Sequence, residues 1–400
     1  MINRQSERIR KLQEDVQEFV EKEMMPVESE LLKIPFNEAA VVLQEKRSLA
    51  KSRGLFVPHL PGSYGGLGLS LLEFASISET LARTPFGHYV LNCQAPDIGN
   101  MELLIKHAPE AIKKAYLEPL MQGGIRSCFS MTEPSFAGSN PVSMATTAEF
   151  KGDKIIINGH KWFTTAADGA SFAIVMAITD PDATAYQRAS MVLVPTDTEG
   201  FHLKRNIPIM GETGEGYHSH AEIIYENCSV PAGNLIGARG SGFKLAQERL
   251  GPGRIHHCMR WVGICERAFD MMCHRAATRS LSDEEKLGHK QTIQNWIAES
   301  RVEIDASRML VLAAAEKIDR FGSREAKNDI SGIKFYVANV LMRVLDRALQ
   351  THGALGMTDD TLLSFWYRHE RGARIYDGPD EVHKSALARS ILKGYGLKPK

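Results

Sequence analysis

The sequence predicts an α+β protein of three consecutive parts: an N-terminal helical domain (residues 1–124), a middle β-domain built as a barrel or sandwich (residues 125–236) and a C-terminal four-helix bundle (residues 237–400). Two observations support this prediction. The chain has 400 residues, which is more than a single hydrophobic core usually holds. The spacing of its apolar residues also changes twice, from helical to strand-like and back. We therefore expect a ligand cleft between the layers.

The N-terminal part shows helical spacing interrupted by loops. Val16, Phe19, Val20 and Met24 fall on one face of a helix, with Glu and Lys residues on the other face. A glycine-rich loop at residues 58–68 lacks the Lys-Ser/Thr pair of a phosphate-binding P-loop. We expect this loop to have a structural role.

The middle part consists of short β-branched and apolar runs separated by Gly, Pro and Asp turns, which is the pattern of strands. The runs are DKIIINGHKWFTT, SFAIVMAIT, SMVLVPT, FHLKRNIP and AEIIYENCSVP. None of them leads through a GxGxxG sequence into a helix. This argues against a Rossmann-type nicotinamide site.

The C-terminal part returns to helical spacing over long segments, which is typical of a bundle. The residues expected on apolar helix faces are Ile293, Trp296, Ile297, Val302, Ile304, Leu310, Val311, Ile333, Val337, Val340, Leu341, Val344 and Leu345.

The composition argues against several kinds of partner and site, namely nucleic acid, membranes and metal ions. Lys plus Arg total 48 and Asp plus Glu total 48, so no net charge favours nucleic acid or an anionic membrane as a partner. The N-terminus is charged and no apolar run is long enough to span a bilayer, so we expect a cytoplasmic protein. The six cysteines form no CxxC pair, and the adjacent His256 and His257 lie about 100° apart on a helix. We predict free thiols and no metal site.

The stretch ARIYDGPDEVHKSALAR at residues 373–389 has the chemistry of a turn that opens a helix. Gly378 allows a sharp bend after Asp377. Pro379 then begins a first helical turn whose acids, Asp380 and Glu381, suit the helix dipole. Asp-Gly is a common turn signal, so a plain helix start explains the stretch when it is taken alone.

This stretch also resembles the end of the acyl-CoA dehydrogenases, where a Tyr-Glu-Gly-Thr turn carries the carboxylate that removes the substrate's alpha proton. The upstream run QTHGALGM…WYRHERGARIYDG keeps the family's spacing. The resemblance implies that Asp377 is the catalytic base and that Tyr376 and Gly378 contact the substrate. It further implies that Pro379, which replaces the usual Thr, and Glu381 contact the cofactor FAD.

A second stretch, FSMTEPSFAGSN at residues 129–140, resembles the family's Thr-Glu-Pro-Gly-Ala-Gly-Ser signature with one additional residue. The resemblance implies that Phe129, Met131 and Thr132 bind FAD. It places Ser139 near the flavin or near the CoA arm of the substrate. A Pro-Gly-Ser loop that enters a strand is the structural alternative.

A third stretch, KWFTT at residues 161–165, resembles the family's Lys-x-Trp-Ile-Thr strand. That resemblance implies that Trp162 packs beside the flavin and that Thr164 contacts its reactive N5 side. An amphipathic strand with a buried aromatic residue is the structural alternative.

Further matches lie in the C-terminal part. Arg254 falls on an Arg usual near the acyl-CoA pocket, and Gly253 occupies the position where some members carry their base instead. Arg279 matches an Arg that binds FAD of a neighbouring subunit, although RSLSDEEKLGHK departs from the family pattern there. QTHGALG resembles a turn that reaches FAD across a subunit interface through Gln350 and Gly353. A helix end closed by Gly is the alternative, and both can hold together.

The resemblance implies an FAD-dependent acyl-CoA dehydrogenase that oxidises an acyl-CoA thioester to 2-enoyl-CoA and passes electrons to an electron-transfer flavoprotein. FAD contacts from two subunits imply a homodimer or homotetramer. RLGPGRIHHCMR and DGPDEVH are marks of the branch whose animal members carry a kinase-like domain ahead of the dehydrogenase. Aspartate reaches about 1.5 Å less than glutamate, which suits an acyl group substituted near the reacting carbons.

Two other functions stay open. One is an oxygen-reactive relative, such as an acyl-CoA oxidase or a nitroalkane oxidase, the latter of which uses an Asp base. The other is a flavin-binding scaffold or a nucleic-acid-associated member with little activity, against which the balanced charge argues.

Overall fold

The computed structural model describes residues 6–397. Its N-terminal part is helical, and α1 continues as a π-helical turn, Val20–Met24. The helices are α1 (Glu7–Phe19), α2 (Glu28–Leu31), α3 (Phe36–Ser52), α4 (Leu71–Leu81), α5 (Gly87–Val90), α6 (Asp97–His107), α7 (Glu110–Ile112) and α8 (Glu118–Met121).

The predicted helix face at the N-terminus is confirmed. Val16, Phe19, Val20 and Met24 are all buried in one apolar core shared with α3, α4 and α6. The start of α4 is fixed locally, because Ser70 accepts from the backbone N–H of Glu73 while the Glu73 carboxylate accepts from that of Ser70. The first turn of α4, which packs on α9 and α1, is thereby fixed by its own residues.

The middle part forms one eight-stranded mixed sheet in the order β6-β7-β3-β2-β4-β5-β8, with β1 parallel to β4. Most neighbours are antiparallel, and β2 pairs with β4 in parallel. The strands are β1 (Ser127–Ser130), β2 (Thr147–Lys151), β3 (Lys154–Thr165), β4 (Phe172–Ile178), β5 (Ala189–Pro195), β6 (Phe201–Asn206), β7 (His220–Pro231) and β8 (Leu235–Ile236).

The two faces of this sheet have different partners. Val192 of β5 and Ile223 of β7 belong to one apolar cluster although their strands are far apart in the strand order, so the sheet folds over its own core. Ile174 of β4 and Leu193 of β5 face the opposite way and join the core of the N-terminal helices. The middle domain is therefore packed directly against the helical layer.

The C-terminal part is a bundle in which α9, α10 and α11 pack pairwise and α13 packs on α11. The helices are α9 (Gly242–Thr278), α10 (Gln291–Phe321), α11 (Lys327–His352), α12 (Leu362–Glu370) and α13 (Asp380–Gly394). The predicted apolar face of α11 is confirmed, since its residues are all buried: Ile333, Val337, Val340, Leu341, Val344 and Leu345.

The prediction for α10 was only partly right. Ile293, Ile304 and Val311 are buried, and Trp296 and Ile297 are half-buried against the same core. Val302 and Leu310 are instead 69% and 47% exposed, because they lie on the side of the helix turned away from that core. Apolar spacing alone does not separate these two sides of a long helix.

Within residues 6–397 no helix is long and apolar enough to cross a membrane. The same residues contain no group of three or more His, Cys, Asp or Glu side chains that could hold a metal ion. Each of the six cysteines is unpaired, five of them buried and Cys273 half-buried.

Candidate active site

The Asp377–Gly378 turn lies between a short 3-10 segment, Arg371–Arg374, and α13. Asp377 has a left-handed backbone with φ of 55°, and Gly378 follows at 101°. Aspartate tolerates this region better than most residues do, and glycine enters it freely. A Cβ at position 378 would lie 2.7 Å from Nε2 of His383, so the turn requires glycine for space as well. Pro379 lies at the N-cap, one residue before α13, and not in the first helical turn where the sequence predicts it.

Side chains from three helices hold the backbone of this turn. The carbonyl oxygen of Asp377 accepts from Nε of Arg254 at 3.1 Å and lies 3.0 Å from Nε2 of His383. The buried ammonium of Lys334 donates to the carbonyl oxygens of Ala373, at 2.8 Å, and Gly378, at 3.0 Å. Because its backbone is fixed on both sides, the turn presents the Asp377 side chain in one place.

The Asp377 carboxylate is 20% exposed and faces α9, where its Oδ2 lies 3.4 Å from Nε2 of His257. Burial lowers the pKa of His257 to about 4, even though the charge of Asp377 acts in the opposite direction. The imidazole is therefore neutral near pH 7. Asp377 is therefore a partly exposed carboxyl group with a neutral neighbour, on the side of α9 where we expect the ligand cleft.

Tyr376 is fixed by hydrogen bonds to its phenol. The hydroxyl oxygen accepts from Nη2 of Arg260 at 3.0 Å and from Nε1 of Trp261 at 3.1 Å. Arg260 also donates to both carboxylate oxygens of Glu370, at 2.5 and 2.7 Å. Burial alone would raise the pKa of Glu370, but the Arg260 charge and hydrogen bonds outweigh it and hold that pKa below its usual value. The residue before Asp377 is thus tied to α9.

Polar side chains continue the cleft along α9 and the loop at residues 58–68. Nε2 of His256 lies 3.5 Å from Oε1 of Glu102, and the rings of His59 and His256 both lie against Phe74. Both ring nitrogens of His59 and Nδ1 of His256 are buried without a hydrogen-bond partner among the described residues. Burial lowers the pKa of His59 to about 3, so its ring is neutral. Unsatisfied groups of this kind are available to a polar ligand.

Arg249 connects this cleft to the middle domain. Its guanidinium carbon lies 4.2 Å from the centroid of the Phe129 ring, and its Nε donates to Oδ1 of Asn100 at 3.1 Å. Burial lowers the pKa of Arg249, and the charges of Asp377 and Glu102 partly compensate. A predicted flavin contact, Phe129, is thus brought to the same cleft as Asp377.

The Met131–Glu133 segment is held from inside the sheet by Lys161, whose side chain is fully buried. Its ammonium donates to the carbonyl oxygen of Met131 at 2.8 Å and to Oε1 of Glu133 at 2.9 Å. Thr132 is engaged as well, because its hydroxyl donates to the carbonyl oxygen of Trp162 at 2.8 Å. These hydrogen bonds hold Met131, Thr132 and Trp162 next to one another.

A β-bulge between Lys161 and Thr164 changes which side chains face outward. Thr164 is fully buried with its Oγ1 3.1 Å from Oγ of Ser130, inside the sheet. Phe163, at φ of 49°, is 44% exposed, and Trp162 lies against it with ring centroids 5.0 Å apart. The aromatic surface at this edge consists of Trp162 and Phe163.

The three domain models of one family match consecutive segments of this chain. The N-terminal domain of acyl-CoA dehydrogenases matches residues 6–124, the middle domain residues 128–228 and the C-terminal domain residues 240–392. The chain belongs to the acyl-CoA dehydrogenase family. It is accordingly a flavoprotein oxidoreductase with FAD as its cofactor.

The sequences of individual acyl-CoA dehydrogenases support this assignment. The probable acyl-CoA dehydrogenase FadE2 of Mycobacterium tuberculosis is 44% identical over 88% of this chain and 86% of its own length. Acyl-CoA dehydrogenase family member 11 of Homo sapiens is 39% identical over 94% of this chain, which spans only 49% of that longer protein. These matches confirm the branch predicted from the sequence.

Solved structures confirm the predicted fold. An acyl-CoA dehydrogenase-type chain from Mycobacterium abscessus superposes with a TM-score of 0.93 at 38% identity, covering 98% of this chain and 99% of the other. Butyryl-CoA dehydrogenase from Megasphaera elsdenii superposes with a TM-score of 0.84 at 26% identity, covering 98% of this chain and 100% of the other. A chain from the electron transferring flavoprotein structure of Acidaminococcus fermentans has a TM-score of 0.85 and 27% sequence identity. The superposition covers 98% of this chain and 100% of the other.

The remaining predicted site residues of this acyl-CoA dehydrogenase lie at the surface of the protein. Ser139, Arg279, Gln350, Gly353 and Glu381 are all exposed. Gly353 closes α11 with φ of 63°, as expected for a glycine at a helix end. Arg279 directly follows α9, where its carbonyl oxygen accepts from the N–H of Leu287. Their predicted contacts with FAD, substrate or a second subunit remain predictions.

Sequence reasoning missed several side chains of the cleft. The sequence analysis treats His257 only as half of a metal pair, although this residue lies one helical turn after Arg254, on the same side of α9. The loop at residues 58–68 was expected to be structural only, yet it supplies His59. Lys334 carried no local signal, because the packing of α11 behind the turn brings it there.

Proposed function

We propose that the protein catalyses the α,β-dehydrogenation of an acyl-CoA thioester to 2-enoyl-CoA, with Asp377 as the base. The observation that carries this proposal is the partly exposed carboxylate of Asp377, held by a turn whose backbone Arg254 and Lys334 fix through hydrogen bonds. A fixed carboxylate can accept the alpha proton, and general bases need this kind of placement.

The backbone beside Asp377 supports the same reaction. The thioester carbonyl gains negative charge as the alpha proton leaves, and a backbone N–H of the turn is a suitable donor to that oxygen. Tyr376 and Gly378 flank the base, and hydrogen bonds to Arg260 and Lys334 hold them. We propose that they bind the thioester end of the substrate, with Arg254 supporting the pocket.

The residues at the edge of the middle domain fit a flavin. Trp162 and Phe163 present an aromatic surface, and the polar backbone of Met131 and Thr132 lies beside it. His218 has a buried Nε2 without a partner among the described residues, and its ring neighbours His369, which in turn neighbours His220 beside Phe163. FAD bound there supplies the acceptor for the beta hydride. Phe129, Met131, Thr132 and Trp162 would hold it.

Other predicted contacts complete the FAD site in our proposal. Pro379 and Glu381 lie at the start of α13, whereas Thr164, predicted to contact N5 of the flavin, is fully buried with its hydroxyl against Ser130. Arg279, Gln350 and Gly353 are exposed, which is required of residues that reach the FAD of a second subunit in a homodimer or homotetramer. Ser139 is exposed on its loop, where it would contact the CoA arm.

We further propose that the acyl group carries a polar substituent near the reacting carbons. Both ring nitrogens of His59 and Nδ1 of His256 are buried without a hydrogen-bond partner among the described residues, and His256 lies on α9 beside His257, the neighbour of Asp377. A purely hydrocarbon chain would leave these groups without hydrogen bonds, which is costly. A hydroxylated chain would satisfy them.

An anaerobic spectral experiment tests the function. The holoprotein is mixed with short, medium, branched and 4-hydroxy acyl-CoAs, and the oxidised-flavin absorbance is followed. We expect bleaching, fastest with a hydroxylated ester. No bleaching with any ester would contradict the proposed reaction, and faster bleaching with unsubstituted esters would contradict the proposed substituent.

The electron acceptor is proposed to be an electron-transfer flavoprotein, and the same preparation tests it. Reoxidation of the bleached enzyme by that protein should exceed reoxidation by air. Rapid hydrogen peroxide formation under air would instead indicate an oxygen-reactive enzyme, an alternative that the Asp base keeps open.

A further inference from the structure

His257 contacts the proposed base directly. It lies on α9 one helical turn after Arg254, and its Nε2 is 3.4 Å from Oδ2 of Asp377. Its ring lies parallel to Trp261, with 22° between the planes and 6.0 Å between the centroids, and 5.1 Å from the ring of Tyr376. These rings restrict the orientation of the imidazole, so its Nε2 keeps facing the carboxylate.

Burial and the charged groups around this imidazole determine its charge state. Asp377 and Glu370 face it as anions, Arg260 as a cation, and His256 is its neighbour on α9. Burial outweighs the two carboxylates and lowers the pKa of His257 to about 4. Near pH 7 the ring therefore carries one proton, and it can act as a hydrogen-bond donor without bringing a charge into the cleft.

We propose that His257 is a positioning residue for Asp377, in which the Nε2–H of the neutral imidazole donates to Oδ2 and leaves Oδ1 free for the alpha proton. This inference rests on the proposed function and adds a residue to it. The 3.4 Å separation is longer than a formed hydrogen bond. Catalytic contacts of this kind commonly shorten when substrate fills the cleft.

The physical benefit is twofold. A short aspartate has little freedom to search for its substrate, so a donor on one oxygen fixes where the other oxygen lies. A hydrogen bond to a carboxylate also favours its ionised form, which burial under an acyl chain would otherwise disfavour. His257 thus keeps Asp377 ready to accept a proton in a closed cleft.

Two substitutions separate this role from simple packing. His257→Leu removes the donor, and His257→Gln retains an N–H at a similar reach. We expect anaerobic bleaching by the best ester to slow about 10- to 100-fold in the Leu variant and to recover largely in the Gln variant. The acidic limb of the pH–rate profile should move to higher pH in the Leu variant only. His202→Gln, on exposed β6, serves as a matched control and should change neither quantity.

A purely structural role would give a different pattern. Both His257 variants would then be slowed alike, with the acidic limb unmoved, and that result would overturn the proposal. Unchanged rates in the Leu variant would overturn it as well.

A second measurement does not depend on turnover. In protein labelled with ¹⁵N-histidine, the His257 resonances, assigned by their loss in His257→Gln, should show a neutral ring protonated at Nε2. Asp377→Asn should lower the pH at which this ring titrates, because a neighbouring negative charge is lost. An Nδ1-protonated ring that is unaffected by Asp377→Asn would overturn the pairing. Failure of every ester to bleach the flavin would contradict the proposed function, while these resonances would still decide the pairing.

Discussion

Lys334 donates to the carbonyl oxygen of Gly378 from 3.0 Å, directly behind the proposed base. The lysine is fully buried, yet among the described residues its hydrogen-bond partners are two backbone carbonyls, of Gly378 and Ala373, and no carboxylate. Burial lowers its pKa, and nearby Trp261 and Tyr376 rings face the ammonium. A cation is thus used to fix the backbone of a turn.

This arrangement makes Lys334 a sensitive position. We expect Lys334→Met to lower the free energy of unfolding by about 1–3 kcal/mol, because both carbonyl oxygens lose their donor inside the protein. Flavin bleaching should slow in parallel. Urea unfolding measures the first effect, and Lys327→Met, at an exposed position of the same helix, is the control. An unaltered unfolding midpoint in Lys334→Met would show that the turn does not depend on this contact.

Asp377→Asn tests the base itself. Asparagine keeps the size of the side chain and tolerates the left-handed backbone, but it cannot accept the alpha proton. We expect bleaching to slow by about 10²- to 10⁴-fold with FAD content and thermal stability retained. Absorbance of the purified variant checks the flavin content. Full turnover by this variant would mean that another group is the base.

The Arg260–Glu370 pair should contribute strongly to stability. Glu370 is almost fully buried, and removing one partner of such a pair leaves the other charge uncompensated. We expect Glu370→Gln to cost about 3–5 kcal/mol in urea unfolding. Glu285→Gln, which breaks an exposed pair with Lys290, should cost less than about 1 kcal/mol. Similar losses in the two variants would contradict the importance of burial.

Acid should destabilise the protein through its buried histidines. His218, His220 and His369 lie together between β7 and α12, and burial lowers the pKa of His220 from 6.5 to about 4. Below pH 6.5 the unfolded chain binds a proton that the folded protein does not. The free energy of unfolding therefore falls as pH falls from 6.5 towards 4, by up to about 1.4 kcal/mol per pH unit from His220.

Urea unfolding at a series of pH values measures this slope. His220→Gln retains a partner for the Thr165 hydroxyl and should flatten the slope between pH 6.5 and 4. Above pH 6.5 the variant and the original protein should show parallel behaviour. Equal slopes in the acidic range would indicate that other groups govern acid lability.

The sequence was sufficient for the order of the three parts and for the turn at the base, because periodicity and Asp-Gly chemistry are local properties. It was not sufficient for Thr164, because a β-bulge shifts the alternation of side chains and turns that hydroxyl into the sheet. The sequence also did not predict that Lys334 and His59 lie near the site. Their contacts are with residues distant in sequence, which only the packing of the chain brings together. Val302 and Leu310 show the same limit on α10, where apolar spacing does not say which side is covered.

The positive φ of Asp377 also constrains how this enzyme could have diverged from members with a glutamate base. Non-glycine residues in the left-handed region are disfavoured by roughly 1–2 kcal/mol, and aspartate and asparagine are tolerated there more readily than longer side chains. Exchanging Asp377 for glutamate alone would therefore add both reach and backbone strain. We therefore expect a glutamate at position 377 to be accommodated best when the backbone of the turn changes as well.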